Sequence, residues 1–317
     1  MTTVRLPLVL PSGHDRGFDV VGLGLNCVDL LVRVAAFPEP DSKQPLERYE
    51  YQPGGQTASG LVACARQGWR ARYVGRFGDD ANGERGRRSL SDEGIDVGAS
   101  RVLGETPTAF AVILVDGRTG TRTIMWHRDP RLNMGAADVQ AEAVATGRVL
   151  LVDCHQTEAS IAAARCARAA GMPVVLDVEK PRPNLEQLLR ATDVIIAAQD
   201  LPGRLTGEPD VERALTLLAR RFPAAVVCAT LGSAGSIAVC QGVTIRTPGY
   251  EVPVVDTTGA GDVFRGGFIS AWLQAGDEAV LEEVLRRANA TAALSCRGLG
   301  ARAGIPTRAE VDALVSA

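Results

Sequence analysis

Two hydrophobic periods share this chain. From residue 135 onward, short and almost wholly apolar runs recur at 149–153, 174–178, 194–197, 225–230 and 237–239. Between most of them lie segments whose apolar residues return every three to four positions, at 159–170, 185–191 and 211–220. Continuous apolar runs are what strands buried on both faces require, and the intervening period is that of helices packed on a sheet. The alternation predicts an α/β fold with a doubly wound, mostly parallel sheet flanked by helices. The carboxyl-terminal part adds an Ala-rich helix over 280–295, a Gly-rich loop and a capping helix over 308–315.

The first 135 residues read differently. Residues 18–25 form a buried strand, 30–34 continue β-rich, and 46–51 form another short strand before Pro53-Gly54-Gly55. A small-residue helix follows over 57–67, stopped by Gly68, then a strand over 71–77, a turn at 78–80 and a polar-faced helix over 83–93. Residues 108–115 and 121–126 flank Asp116-Gly117-Arg118-Thr119-Gly120 as a hairpin. With no helices between partners, these strands predict a small antiparallel β lid from segments within 29–52 and 106–127. Residues 1–17 are read as a loose N-terminal extension, and 18–317 as one α/β unit.

Composition narrows the classes. A net charge of −3 gives no electrostatic case for nucleic acid or for an anionic membrane. The patch near the amino terminus is too short and broken for a membrane span. Seven widely spaced cysteines without a C-x-x-C suggest reduced thiols in a cytoplasmic protein. The three histidines do not cluster with them as a zinc site would. Gly22-Leu23-Gly24 lacks the third glycine of a dinucleotide fingerprint, since Cys27 stands there, and a β-rich run follows where a helix should open.

The densest candidate chemistry is Asp256-Thr257-Thr258-Gly259-Ala260-Gly261-Asp262, leading into a helix through Leu273. Small residues opening a helix leave backbone N–H groups accessible to an anion. A carboxylate in that first turn can take a proton from a nearby hydroxyl. Phosphoryl transfer needs both, although an ordinary helix start with a dipole-favoured aspartate has the same local look.

The longer pattern resembles the ribokinase-like, phosphofructokinase B type carbohydrate kinase family. Four marks carry the resemblance in order: Gly54-Gly55 with Gly75 and Gly78-Asp79-Asp80; Thr230-Leu231-Gly232-Ser233-Ala234-Gly235; Asp256–Asp262 with Gly266-Gly267-Phe268; and Arg297-Gly298 through Pro306-Thr307. Within the family, Asp29–Pro38, Gly120–Ile124 with His127, and Asp177-Val-Glu-Lys-Pro-Arg182 are similar to ketohexokinase segments. The resemblance implies ATP and Mg²⁺ as cofactors, Asp262 as base, and Gly259, Ala260 and Gly261 as the anion hole. It implies sugar contacts from Asp29, Gly54, Gly55, Gln56, Ser59 and Arg122, and nucleotide contacts from Thr230, Gly232, Gly235, Thr257, Asn289 and Lys180. It also implies a homodimer joined through the lid.

Two departures stand out. The family's sugar motif Gly-Gly-Asn-x-x-Asn reads here Gly54-Gly55-Gln56-Thr57-Ala58-Ser59, which lengthens one contact and shortens the other. The N-x-x-E motif is absent around 198–201, leaving Glu179 as a magnesium contact through water. The expected acceptor is a fructose-like ketose. The sequence shows too few basic groups near Asp29 and Gly55 for a phosphosugar. A nucleoside or sugar-acid kinase, or a non-catalytic sugar-binding regulator, remains an alternative.

Overall fold

Alternate side chains of each central strand feed two separate cores. Val149 and Leu151 face one, Leu150 and Val152 the other. That explains why 149–153 is apolar throughout: helices cover both faces, and each fully buried Val or Leu contributes about 1.5–3 kcal/mol. The computed structural model describes residues 3–119 and 121–317. Gly120, at the expected hairpin turn, lies outside the described residues.

In chain order the first half comprises β1 (Val20–Leu23), β2 (Cys27–Val34), β3 (Arg48–Gly54), α1 (Gln56–Arg66), β4 (Ala71–Val74) and β5 (Arg76–Gly78). It continues with α2 (Ala81–Ser91), β6 (Arg101–Leu103), β7 (Phe110–Asp116), β8 (Arg122–His127) and the short α3 (Ala141–Val144). Next come β9 (Val149–Asp153), α4 (Thr157–Ala169), β10 (Val174–Val178), α5 (Leu185–Ala191), β11 (Val194–Ala198), α6 (Leu201–Thr206) and α7 (Val211–Arg221). The rest is β12 (Val226–Thr230), β13 (Ser236–Cys240), β14 (Val243–Thr247), α8 (Ala260–Ala275), α9 (Leu281–Ser295) and α10 (Arg308–Ser316).

The main sheet runs β14-β13-β12-β11-β10-β9-β1-β4. It is parallel from β12 to β4 and antiparallel only at the β12-β13-β14 end. Helices α1, α8 and α9 supply buried residues to one face, and α4, α5 and α7 to the other. A second, four-stranded sheet has the order β3-β2-β7-β8.

Several expectations need correction. The second sheet is not purely antiparallel, because its central pair, β2 and β7, is parallel. The strand expected over 71–77 breaks at Gly75, where the chain leaves the main sheet so that β5 can pair with β6. Strand β14 and helix α6 were not anticipated; the turn before β14 is made by Gln241 and Gly242, both at positive φ. The N-terminal extension is packed rather than loose. Val4, Leu6 and Leu10 are buried in the core, and the backbone bonds Leu6 N–H to Ala279 O and Leu281 N–H to Val4 O, both at 2.9 Å. Among the described residues, no helix is long and apolar enough to cross a membrane.

Candidate active site

Helix α8 begins on a loop held from both sides. The Asp256 carboxylate accepts from Thr258 N–H and its hydroxyl (2.9 and 2.8 Å) through one oxygen, and from Gly300 N–H (2.8 Å) through the other. The chain then turns through Gly259 at φ 75° into the helix. The N–H of Ala260 is directed to Thr257 O (3.3 Å), whereas those of Gly261 and Asp262 lie in the first turn, where no intrahelical carbonyl exists for them. Of the three amides expected as an anion cradle, that of Ala260 is thus already engaged. The helix comes unusually close to α1: a Cβ at Gly266 would meet Gly60 O at 2.4 Å. This small-residue crossing sets Asp262 beside the carboxyl ends of the parallel strands.

Asp262 is half-buried. Burial, together with the negative charges of Asp177, Glu179 and Asp153, pushes its carboxyl well above the usual aspartate value, against an opposing pull from Arg265. Arg265 lies one helical turn further and pairs with Asp177 at 3.0 Å, with both side chains almost wholly buried. Its guanidinium also donates to Ile196 O (3.0 Å). Asp177 is raised as well, mainly by burial.

A cavity of about 920 Å³ opens beside Asp262, between the strand ends and the second sheet. Asp29, Gly55 and Gln56 line it, as do Glu179 and Lys180. Asp29 is buried on β2 and raised by that burial. Gly55 has φ 97°, and a Cβ there would strike Asn26 Cα and Leu25 O at 2.5 Å, so only glycine lets the chain enter α1 at this point. Gln56 Oε1 is buried without a hydrogen-bond partner among the described residues. From β7 and β8, Ile113, Ile124 and Trp126 form the apolar roof.

Other expected sugar contacts are placed differently. Ser59 is fully buried, and its hydroxyl accepts from Arg302 Nε at 3.3 Å. Arg302 also donates to Gly54 O (2.6 Å) and Ser89 Oγ (3.1 Å). The short side chain at 59 is therefore occupied by a buried guanidinium instead of facing the cavity. Arg122 is exposed and reaches Thr257 Oγ1 (3.2 Å).

On the expected nucleotide side, Thr230 ends β12 and its hydroxyl leans toward Ala197 O (3.5 Å). Gly232 and Gly235 both have positive φ in the loop that follows. Asn289 does not present a free amide: its nitrogen donates to Ser236 Oγ (3.1 Å), Thr247 Oγ1 (3.0 Å) and Pro248 O (3.2 Å), tying α9 to β13 and β14. Thr230, Gly232, Gly235, Thr257 and Asn289 are not among the residues lining the cavity.

Sequence reasoning missed Asp153, Arg302 and the Asp177–Arg265 pair. Asp153 closes β9, and its carboxylate accepts from Leu25 N–H (2.6 Å), Thr57 Oγ1 (2.7 Å) and His155 N–H (2.9 Å). A lone aspartate in an apolar strand was the available signal, at the last position of β9 for Asp153 and one before the end of β10 for Asp177. For Arg265 it was a charge inside an apolar helix. The shortage of basic groups expected near Asp29 and Gly55 is also corrected. Arg302 lies beneath them, and Arg128 and Arg182 line the same cavity from distant parts of the chain.

An open α/β sheet whose carboxyl ends meet a glycine-led helix with a first-turn carboxylate is built for group transfer at a bound anion. A model of the pfkB family carbohydrate kinases matches residues 18–308, and the chain belongs to that family. It is 29% identical to an ATP-dependent ribose-1-phosphate kinase of Halopiger xanaduensis, over 91% of this chain and 95% of that protein. It is 28% identical to fructokinase-1 of rice, over 92% and 96% of the two chains. The structure of Arabidopsis thaliana ribokinase complexed with ribose and ATP superposes with a TM-score of 0.82 at 27% identity, covering 95% of this chain and 99% of that one. The protein is accordingly a carbohydrate kinase of that family.

Proposed function

We propose that Asp262 takes the proton from a hydroxyl of a small, fructose-like ketose as that oxygen attacks the γ-phosphorus of ATP. The new O–P bond replaces the bond to ADP, and the proton ends on the aspartate. The carrying observation is that Asp262 lines one cavity with Asp29, Gly55 and Gln56. Asp29 and Gln56 are the hydrogen-bonding groups for the sugar, and Gly55 lets it approach the backbone. The N–H groups of Gly261 and Asp262, with the turn at Gly259, face the charge that develops on the phosphoryl group.

Bound Mg²⁺ neutralises phosphate charge. Glu179 suits that ion as a hard oxygen ligand acting through water, and its proximity to His155, then Lys180, keeps it ionised. The Thr230–Gly235 loop and Thr257 serve the nucleotide. Lys180, beside Glu179 at 3.8 Å, approaches its phosphates. The ketose assignment is supported by the Asp177–Arg182 segment. The bare apolar edge of β8, with Ile124, Met125 and Trp126 exposed, supports a homodimer through the second sheet. The free thiols are compatible with a cytoplasmic setting.

An ATP-consumption screen over ketoses, aldoses, nucleosides and sugar acids tests the reading. Turnover with a ketose is expected. If no acceptor is consumed while one raises the melting temperature, the protein binds sugar without transferring phosphate.

A further inference from the structure

The cavity contains two guanidinium groups that the kinase chemistry leaves unused. Arg128 follows β8 and Arg182 follows β10, and both line the wall. Each has its Nε buried without a hydrogen-bond partner, and neither forms an ion pair among the described residues. Burial chiefly, and the Arg182 charge in addition, lower the pKa of Arg128.

The nearest compensation is already committed. Asp153 attracts Arg128, but its two oxygens are taken by Leu25, Thr57 and His155. Arg182 Nη2 lies 3.3 Å from His155 Nδ1. A guanidinium can only donate, so Nδ1 accepts and the imidazole proton sits on Nε2, which faces Glu179 at 3.7 Å. Glu179 is thereby shared between His155 and Lys180. Glu158 also lines the cavity, without pairing to either arginine.

Two half-buried cations on one cavity wall, each with a buried Nε left without an acceptor, are costly until an anion meets them, and the planar fork of arginine matches phosphate, sulfonate or carboxylate oxygens. We propose that the acceptor sugar carries a fixed negative charge away from its reacting hydroxyl, and that Arg128 and Arg182 bind that charge. The inference rests on the kinase reading of this cavity and narrows its substrate from a neutral ketose to an anionic one.

The test compares kcat/KM for fructose, fructose 6-phosphate, ribose, ribose 5-phosphate and gluconate, alongside calorimetric binding of the same compounds without ATP. The phosphate esters and gluconate separate a phosphate from a carboxylate as the recognised group. At least one anionic sugar is expected to exceed its neutral counterpart by about 30-fold or more in both assays. Arg128→Met and Arg182→Met should each erase most of that ratio through KM, and Arg128→Lys should restore part of it. Arg182→Met decides the matter if Arg128→Met does not fold. Neutral sugars used or bound as well as every anionic one, or a ratio untouched by either variant, would overturn the proposal while leaving the kinase reading intact. Arginine-dependent binding of an anionic sugar without any turnover would instead uphold the subsite and remove the kinase reading.

Discussion

Asp262 combines a favourable position with an unfavourable environment. A base must be ionised, yet burial and the neighbouring carboxylates raise its pKa above the usual 3.8. On the acid side, kcat/KM should therefore fall as pH drops through a midpoint above 3.8, and an acid limb at or below that value would contradict the assignment. The stability sign is opposite to that of a salt-bridged aspartate. A raised carboxyl favours the neutral form, so stability present at low pH is lost as pH rises through the folded pKa. Asp262→Asn should consequently melt higher than the wild type at pH 8. Arg302 makes a second residue-scale case. Its replacement by Ala strips Gly54 O and two serine hydroxyls of a buried charged donor, at about 3 kcal/mol in urea unfolding. It also removes a charge that lowers the Asp29 pKa. Unchanged stability would show that water replaces the guanidinium. Asp29, Gly55 and Asp262 were legible because local motifs carry them. Arg302 was not, since a lone arginine in a Gly-rich loop gives no hint that it fills the space above Ser59.

At the scale of elements, α8 depends on what lies beneath it. The Asp177–Arg265 pair joins α8 to β10 in the interior, and among the described residues neither Asp177 oxygen has an aligned hydrogen-bond donor besides that ion pair. Arg265→Met should cost about 3–5 kcal/mol, because it leaves a buried carboxylate uncompensated. Adding Asp177→Leu should recover much of that loss, and a purely additive double variant would rule out coupling between the two. The strands 149–153 and 174–178 could be read to the residue because full burial imposes nearly continuous apolar runs, and the helix 185–191 because its buried Leu185, Leu188 and Leu189 keep the helical spacing. The parallel β2–β7 pairing could not. The two strands are separated by α1, α2 and the β5–β6 pair, so no local signal carries their register.

At the scale of the whole molecule, β8 stands out among the described residues as an uncovered apolar strand. Strand β8 is exposed along its length, with Trp126 72% accessible, and forms an edge of the second sheet. A second copy covering that edge should give a dimer at micromolar concentration in sedimentation, and Trp126→Glu should shift it to monomer. A monomeric wild type would count against the pairing. The amino terminus shows the reverse: a stretch that looked loose contributes Val4, Leu6 and Leu10 to the core, its alternation at 4, 6, 8 and 10 being masked in the sequence by Pro7 and by the apolar but exposed Val9.

Catalysis by Asp262 at the mouth of the shared cavity is the claim on which the rest depends. Single-turnover phosphoryl transfer by Asp262→Asn, measured with the best acceptor from the screen, tests it most directly. The rate constant should fall by about 10²–10⁴-fold with sugar affinity nearly unchanged. Transfer at close to the wild-type rate would contradict it.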